Sequence, residues 1–186
     1  MLQIEEKLTA SLKRINFIFQ NKKIITECIQ DHKQIQVFNM KIGPFKKGKR
    51  YNLKFFIAAK LINQNILKIP SEDRCDNVVM QRFAMRERDD HKLIELEDKL
   101  FLNKIKEFRN FIKNALKEGT IPKINFDKFN SYMGNFVDSR LLKLLRLGSI
   151  NLSVEDEQRL THSEKVFYKN ISDLIKSWRS FFLTRD

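Results

Sequence analysis

The order of parts between Ile42 and Pro70 restricts the fold of this chain more than any other feature. Gly43-Pro44 marks a turn, Gly48 closes a basic loop, Leu53 to Asn63 is an apolar, Ala-containing run of helical length, and Ile66 to Ile69 is β-branched and ends at Pro70. Proline has no N–H to give a sheet ladder, so Pro44 ends the strand before it and Pro70 ends the one after. Turn, helix and strand in that order build a small mixed α/β unit that finishes near Pro70.

Upstream, Leu8, Leu12, Ile15 and Phe19 recur at steps of four, three and four, which predicts a helix. Ile25, Glu27 and Ile29, then Ile35, Val37, Asn39 and Lys41, fall in β-branched runs that predict two short strands, with Gln30-Asp31-His32-Lys33 as the turn between them. Beyond Pro70 the pattern is helical throughout. Ser71-Glu72-Asp73 suggests a helix start. A long helix is expected over 91–118, facing inward through Leu93, Leu96, Leu100, Ile105, Phe108 and Phe111, with Gly119 as its C-cap. Another is expected from Asn125 to Leu147, stopping at Gly148. Ser153-Val154-Glu155-Asp156 reads as a capping box with Asp in the place of Glu, opening a last helix over 153–182. The expected class is α+β and mainly α: a small β-rich domain over 1–70, then a helical bundle domain over 71–186. The helical stripes are wide. They fit either the core of a small bundle or a core plus a subunit interface.

Composition supports the division. Residues 1–70 hold 14 Lys and Arg against 4 Asp and Glu, a net of +10, while residues 71–186 hold 22 against 19, a net of +3. A basic first third beside a nearly balanced remainder implies two units with different neighbours. Sixteen Phe stand against one Trp and three Tyr. Phe has no polar tip, so this set belongs in cores and protein–protein interfaces. Cys28 and Cys75 lack any Cys-x-x-Cys spacing and fit small buried hydrophobes in a reducing compartment. No stretch has the roughly 18 uninterrupted apolar residues of a membrane span, and the first residues carry acids instead of an apolar signal core. The expectation is a soluble, intracellular protein.

Catalytic chemistry is not in evidence. His32, His91 and His162 have no second His at helical spacing, which leaves a His-based zinc site unsupported. Asp89-Asp90-His91 is the one cluster that invites a metal or nuclease reading, but adjacent helical positions diverge, and Arg86 and Arg88 make an exposed ion-pair surface the better reading. There is no phosphate-binding loop of the P-loop or dinucleotide type and no Gly-x-Ser-x-Gly elbow. No cofactor, no metal and no enzyme activity are expected. Lys46, Lys47, Lys49 and Arg50 are the candidate nucleic-acid contacts, since lysine binds phosphate without reading sequence. A solvated loop is the plainer alternative. Phe45, following the Gly-Pro turn, is expected to pin that turn to the core of the small domain.

Gly43-Pro44-Phe45 with Gly48, then Leu53-Lys54-Phe55-Phe56-Ile57-Ala58-Ala59-Lys60-Leu61, then Ile66-Leu67-Lys68-Ile69-Pro70, resembles the GINS subunits of the replication fork. The similarity is to the class whose small β-rich domain comes first: the eukaryotic second and third Psf subunits and their single archaeal counterpart. Ile121-Pro122-Lys123, Asp138-Ser139-Arg140-Leu141-Leu142-Lys143-Leu144-Leu145, and Asn151 to Glu157 leading to Tyr168 and Trp178 are similar to the family's helical domain in pattern. The chain departs from the family at Lys54-Phe55-Phe56, where Pro-Leu-Trp is common, and in its single Pro70.

The resemblance implies a non-catalytic scaffold. Two copies would join two of a second GINS subunit type in a tetramer linking the MCM helicase to a Cdc45/RecJ-like protein, with DNA as a further partner through the basic N-terminal domain and no membrane contact. It implies structural roles for Gly43, Pro44, Phe45, Gly48, Phe56 and Pro70. Phe108, Phe111, Phe129, Phe136, Leu141, Leu144, Phe167 and Trp178 are the candidate interface residues. The location implied is the archaeal cytoplasm in association with the nucleoid, or the nucleus if the source is eukaryotic. The runner-up from the residues themselves is a free-standing nucleic-acid-binding protein.

Overall fold

The computed structural model describes residues 2–37 and 40–183. It is an α+β chain dominated by helices, as the sequence pattern predicts. It divides into two compact units, one spanning Phe17–Arg74 and the other joining the residues up to Asn16 with those from Cys75 onward. The first helix, α1 (Leu2–Asn21), therefore contributes to both, whereas the sequence reading assigned all of residues 1–70 to the small domain.

In the small unit, β1 (Lys23–Cys28) is the central strand of an antiparallel sheet, with β4 (Arg50–Lys54) on one side and β5 (Leu67–Lys68) on the other. Register runs Lys23↔Lys54 to Glu27↔Arg50 on one edge and Glu27↔Lys68 on the other. The expected second strand is instead two: β2 (Ile35–Val37) pairs with β3 (Met40–Ile42), Ile35 opposite Ile42. The alternation that predicted a single strand is the same on both arms of a hairpin, which is why periodicity merged them. Asn39, one of its expected members, lies outside the described residues. The apolar run after the basic loop begins as β4 and becomes helix α2 (Phe55–Asn63) only at Phe55.

Helix α2 stops in a Schellman pattern. Asn65 takes φ +56°, Asn65 N–H donates to the Ile62 carbonyl, and Ile66 N–H donates to Leu61. One face of α2 then packs Ile57 and Leu61 with Cys28, Phe45, Ile66 and Leu67 into the core of this unit.

The second unit is helical. Its members are α3 (Asn77–Asp89), α4 (Phe101–Lys117), α5 (Lys123–Leu147), α6 (Val154–Arg159) and α7 (His162–Leu183). Ser71–Asp73 forms only a 3₁₀ turn. The helix start is Asp76, whose carboxylate accepts from Val79 N–H at 2.9 Å. The long helix expected over 91–118 is not formed. Its first ten residues are an irregular connection between α3 and α4, in which Leu93, Ile94, Leu96 and Leu100 are buried. Helix α4 ends at Gly119 as expected: Gly119 N–H donates to Leu116 and Thr120 N–H to Ala115, with φ +70° at the glycine.

The last expected helix is also broken. Ser153 caps α6, accepting from Asp156 N–H at 3.0 Å, but the chain leaves the helix at Leu160. It restarts on a second capping box, in which Thr161 Oγ1 accepts from Glu164 N–H and Glu164 Oε2 accepts from Thr161 N–H at 2.8 Å. A Ser153 cap followed by the Thr161–Glu164 box makes two helices.

Candidate assembly and nucleic-acid surfaces

The basic loop is a fixed turn. Lys49 N–H donates to the Lys46 carbonyl, and Gly48 at φ +76° supplies the positive φ that a type II turn needs at its third position. Lys47 N–H donates to Asp31 Oδ1 at 2.6 Å and Lys46 N–H to the Tyr51 hydroxyl at 2.8 Å, while that hydroxyl donates to the Pro44 carbonyl at 3.2 Å. Phe45 is 1% exposed beneath the turn, edge-on to Tyr51 at 4.9 Å between ring centroids, so it anchors the turn. Phe45 and Tyr51 are thereby spent on structure, not left open to stack on bases. Lys46, Lys47 and Lys49 are exposed and carry no ion pair among the described residues. Arg50 does not share that freedom: it pairs with Glu72 at 2.6 Å. Phe56 is half-buried against the same core, and Pro70 is buried at the end of the unit.

The eight candidate interface residues separate into two groups. Phe108, Phe129, Phe136 and Leu144 are buried in the chain's own helical core, and Phe129 and Phe136 have no exposed surface at all. A side chain with no exposed surface cannot meet a partner, which corrects the sequence reading for Phe129 and Phe136; Phe108 and Leu144 keep only a small exposed edge. Leu141 and Phe167 keep partial exposure, and with Leu12, Leu102, Val137 and Leu144 they line an apolar cleft of about 260 Å³. Phe111 is half-buried beside Phe108. Trp178 is 66% exposed.

The sequence reading missed what surrounds Trp178. Phe181 is 81% exposed and Phe182 62%, with ring centroids 5.0 Å apart and Phe182 again 5.0 Å from Trp178. The signal was legible, since Leu174, Trp178, Phe181 and Phe182 stand at i, i+4, i+7 and i+8 on one helix. Of these the sequence reading names only Trp178 as a candidate interface residue and does not single out Phe181 or Phe182, because periodicity cannot say whether a helix stands opposite such a stripe.

Also missed was a buried charge cluster behind the cleft. Arg140, 1% exposed, spends all five of its N–H donors. Its Nε and Nη2 fork onto Glu164 at 2.5 and 2.9 Å; Nη1 reaches Glu87 Oε2 at 2.7 Å and the Ile94 carbonyl; Nη2 also reaches the Arg159 carbonyl. Burial works against the charge, but Glu164 and Glu87 outweigh it and hold the guanidinium pKa above its ordinary value. Lys143 Nζ gives its three donors to Glu87 Oε1 and the carbonyls of Glu87 and Lys92. Two acids and two bases balance, and no buried side-chain polar atom is orphaned among the described residues.

This cluster also explains the broken helix at 91–100. The carbonyls of Lys92, Leu93 and Ile94, which a helix would pair internally, accept instead from Lys143, Arg159 and Arg140. The network acts as a clasp on the connection between α3 and α4.

Asp89 pairs with the neighbouring Arg88 at 2.8 Å on the surface. No group of three His, Cys, Asp or Glu side chains placed to hold a metal occurs among the described residues. Cys28 and Cys75 are both buried free thiols. No helix of the described residues is long and apolar enough to cross a membrane. No protein-family model matches the chain, and no curated protein compared with it does.

Proposed function

We propose that this chain is a non-catalytic assembly subunit of GINS type, a scaffold that joins a second subunit kind in a two-plus-two tetramer and links an MCM helicase to a Cdc45/RecJ-like protein. The observation that carries the reading is the apolar surface left uncovered on the helical unit. The cleft of Leu12, Leu102, Val137, Leu141 and Phe167 and the exposed Leu174, Trp178, Phe181 and Phe182 leave large apolar side chains uncovered on the helical unit, the kind of surface that marks a protein–protein contact when contiguous. The Gly43-Pro44-Phe45 turn adds support through its resemblance to that family, with Phe45 as the anchor of the turn.

Solution mass tests it. A scaffold subunit with this surface associates, with itself or with its partner, at micromolar concentration. A chain that stays monomeric and stable at every concentration, with no apolar-dye binding at Trp178 and its neighbours, contradicts the proposal.

One observation favours a second reading, in which the small unit also contacts nucleic acid. Lys46, Lys47 and Lys49 present unpaired charge on a turn whose backbone is fixed by Asp31 and Tyr51, so the backbone of the turn need not be ordered when they meet phosphate.

A further inference from the structure

The outer face of the small unit's sheet sets two lysines against each other. Lys23 of β1 stands directly opposite Lys54 of β4, and residues paired in this way project from the same face. Cys28 N–H donates to the Lys49 carbonyl and Phe55 N–H to that of Lys22, so the ladder bonds fall on the even-numbered residues of β1. Lys23 and Lys54 are therefore a non-hydrogen-bonded pair, the kind whose side chains stand closest, with Cβ atoms roughly 5 Å apart. Like charges placed so repel. Neither lysine has an acidic partner among the described residues; Lys54 Nζ meets the Asn21 amide oxygen instead, at 3.4 Å.

This face is open. Ile25 and Asn52, the next pair along it, are exposed, whereas Cys28 and Leu53, on the alternate positions, pack into the core with Phe45, Ile57 and Leu61. An uncovered ring stands beside the lysines. Asn21, whose oxygen meets Lys54, donates through Nδ2 to the Phe17 carbonyl at 3.0 Å, and Phe17 and Asn21 share a face of α1. Phe19 points the other way and is buried on Phe55, 4.7 Å between centroids, which leaves Phe17 70% exposed. All these residues belong to the unit Phe17–Arg74, which holds 12 Lys and Arg against 4 Asp and Glu, a net of +8. Three of those acids are already engaged: Glu27 by Lys68, Glu72 by Arg50 and Asp31 by the Lys47 N–H.

We propose that this face binds single-stranded nucleic acid, with a phosphate held between Lys23 and Lys54 and an unpaired base stacked on Phe17. An anion between the two ammonium groups turns their repulsion into attraction, which folding alone leaves uncompensated. Charge and shape select the occupant. A nucleotide brings an anion and a planar group together in every unit, as two cations beside one open ring require. A duplex keeps its base faces stacked inside and offers Phe17 none. An acidic peptide would meet the lysines but carries no planar group at a fixed distance from its charge. A second copy of the chain brings only more positive charge. From the pair, β4 leads back through Asn52 to Lys49, at 3.4 Å per residue a track of roughly 17 Å to the basic turn. The proposal rests on the nucleic-acid reading above and narrows it to an unpaired strand lying along β4.

The probe is a fluorescein-labelled oligothymidylate of twelve nucleotides, titrated with the full chain and read by anisotropy, with a duplex of the same length for comparison. The strand should bind at least several-fold more tightly than the duplex. Phe17→Ala should weaken strand binding by roughly five- to a hundredfold and leave the salt dependence unchanged, and Phe17→Tyr should restore it. Lys23→Ala with Lys54→Ala should make the slope of log affinity against log salt shallower by about 0.7 for the phosphate they hold. Because it removes a repulsion, that double variant should not lower the thermal midpoint. Far-UV circular dichroism checks that each variant keeps its fold.

Unchanged strand binding by Phe17→Ala would overturn the proposal. So would a duplex bound as tightly as the strand, or polyglutamate displacing the probe as well as unlabelled oligothymidylate does. If Lys46→Glu with Lys47→Glu abolishes binding while the Phe17 and Lys23/Lys54 variants bind like the parent, the turn keeps its role and this face loses its own. A chain that binds neither strand nor duplex removes both.

Discussion

Arg140 Nη1 donates to Glu87 Oε2 at 2.7 Å, with the guanidinium 1% exposed and the carboxylate fully buried. The bond ties α5 to α3, and the fork from Arg140 to Glu164 ties both to the first turn of α7. Removing one partner of such a group leaves a buried charge uncompensated, which costs about 3–5 kcal/mol. Arg140→Met should lower stability to urea by that order. Arg140→Lys should recover little, because an ammonium cannot make the fork. The combined Arg140→Met, Glu164→Gln chain, which keeps the buried Glu87–Lys143 pair, should be more stable than Arg140→Met alone. An Arg140→Met midpoint within experimental scatter of the parent would contradict the account.

Gly43 and Gly48 both hold positive φ, at +101° and +76°, yet they should respond differently to alanine. A Cβ on Gly43 meets the Phe45 ring at 3.2 Å and the Gln34 backbone at 3.4 Å, while nothing lies within 4 Å of one on Gly48. Gly48→Ala should cost about 1 kcal/mol, the strain of a left-handed backbone for a residue with a side chain. Gly43→Ala should cost about 1–3 kcal/mol, since the anchoring ring must move as well. Thermal unfolding of the two variants side by side checks the order.

Burial pushes the Cys75 thiol from its ordinary 9.0 up to about 12, with Asp76 adding to the rise against an opposing effect of Lys104. The folded pKa lies above the unfolded one, so the unfolded chain ionises first as pH rises. The stability from keeping this thiol neutral is whole below pH 9 and is lost between 9 and 12. Iodoacetamide at about pH 8 should therefore modify Cys75 at the rate of unfolding, and fast modification of the folded chain would show that the thiol is open.

If the small unit contacts nucleic acid through its turn, Lys46→Glu, Lys47→Glu and Lys49→Glu together should weaken duplex binding without changing sequence preference. The slope of log affinity against log salt should become shallower by about 0.9 for each phosphate no longer neutralised, or roughly 2–3 in all. An unchanged slope would remove the phosphate role. Arg50→Ala should matter less, because Glu72 already holds it.

The sequence carried the local chemistry well and the long-range chemistry poorly. Gly119, Gly148 and Ser153 end or begin helices where the residues themselves require it, so those boundaries were readable. Leu93, Leu96 and Leu100 are spaced like a helix face, yet the connection is held open by side chains 46 to 66 residues away, and no window along the chain contains that information. The pairing of Arg140 with Glu87 spans 53 residues and was invisible for the same reason. Phe45 was legible as an anchor because a large apolar ring directly after a Gly-Pro turn has the core beneath it to enter, although the partners it meets there, Cys28, Ile57, Leu61, Ile66 and Leu67, come from other elements. Phe129 and Trp178 both read as apolar positions on a helix face, and only the fold separates the first, buried in the chain's own core, from the second, exposed on α7.

The most direct measurement of the central claim is an affinity purification of the tagged chain from lysate of its source, with the retained proteins identified by mass spectrometry. A GINS-type assembly subunit brings down a second subunit in one-to-one ratio, together with an MCM helicase, and loses the second subunit when Leu141 and Phe167 are changed to Asp. Recovery of the chain alone, with no second subunit and no helicase under mild salt, would contradict the assignment.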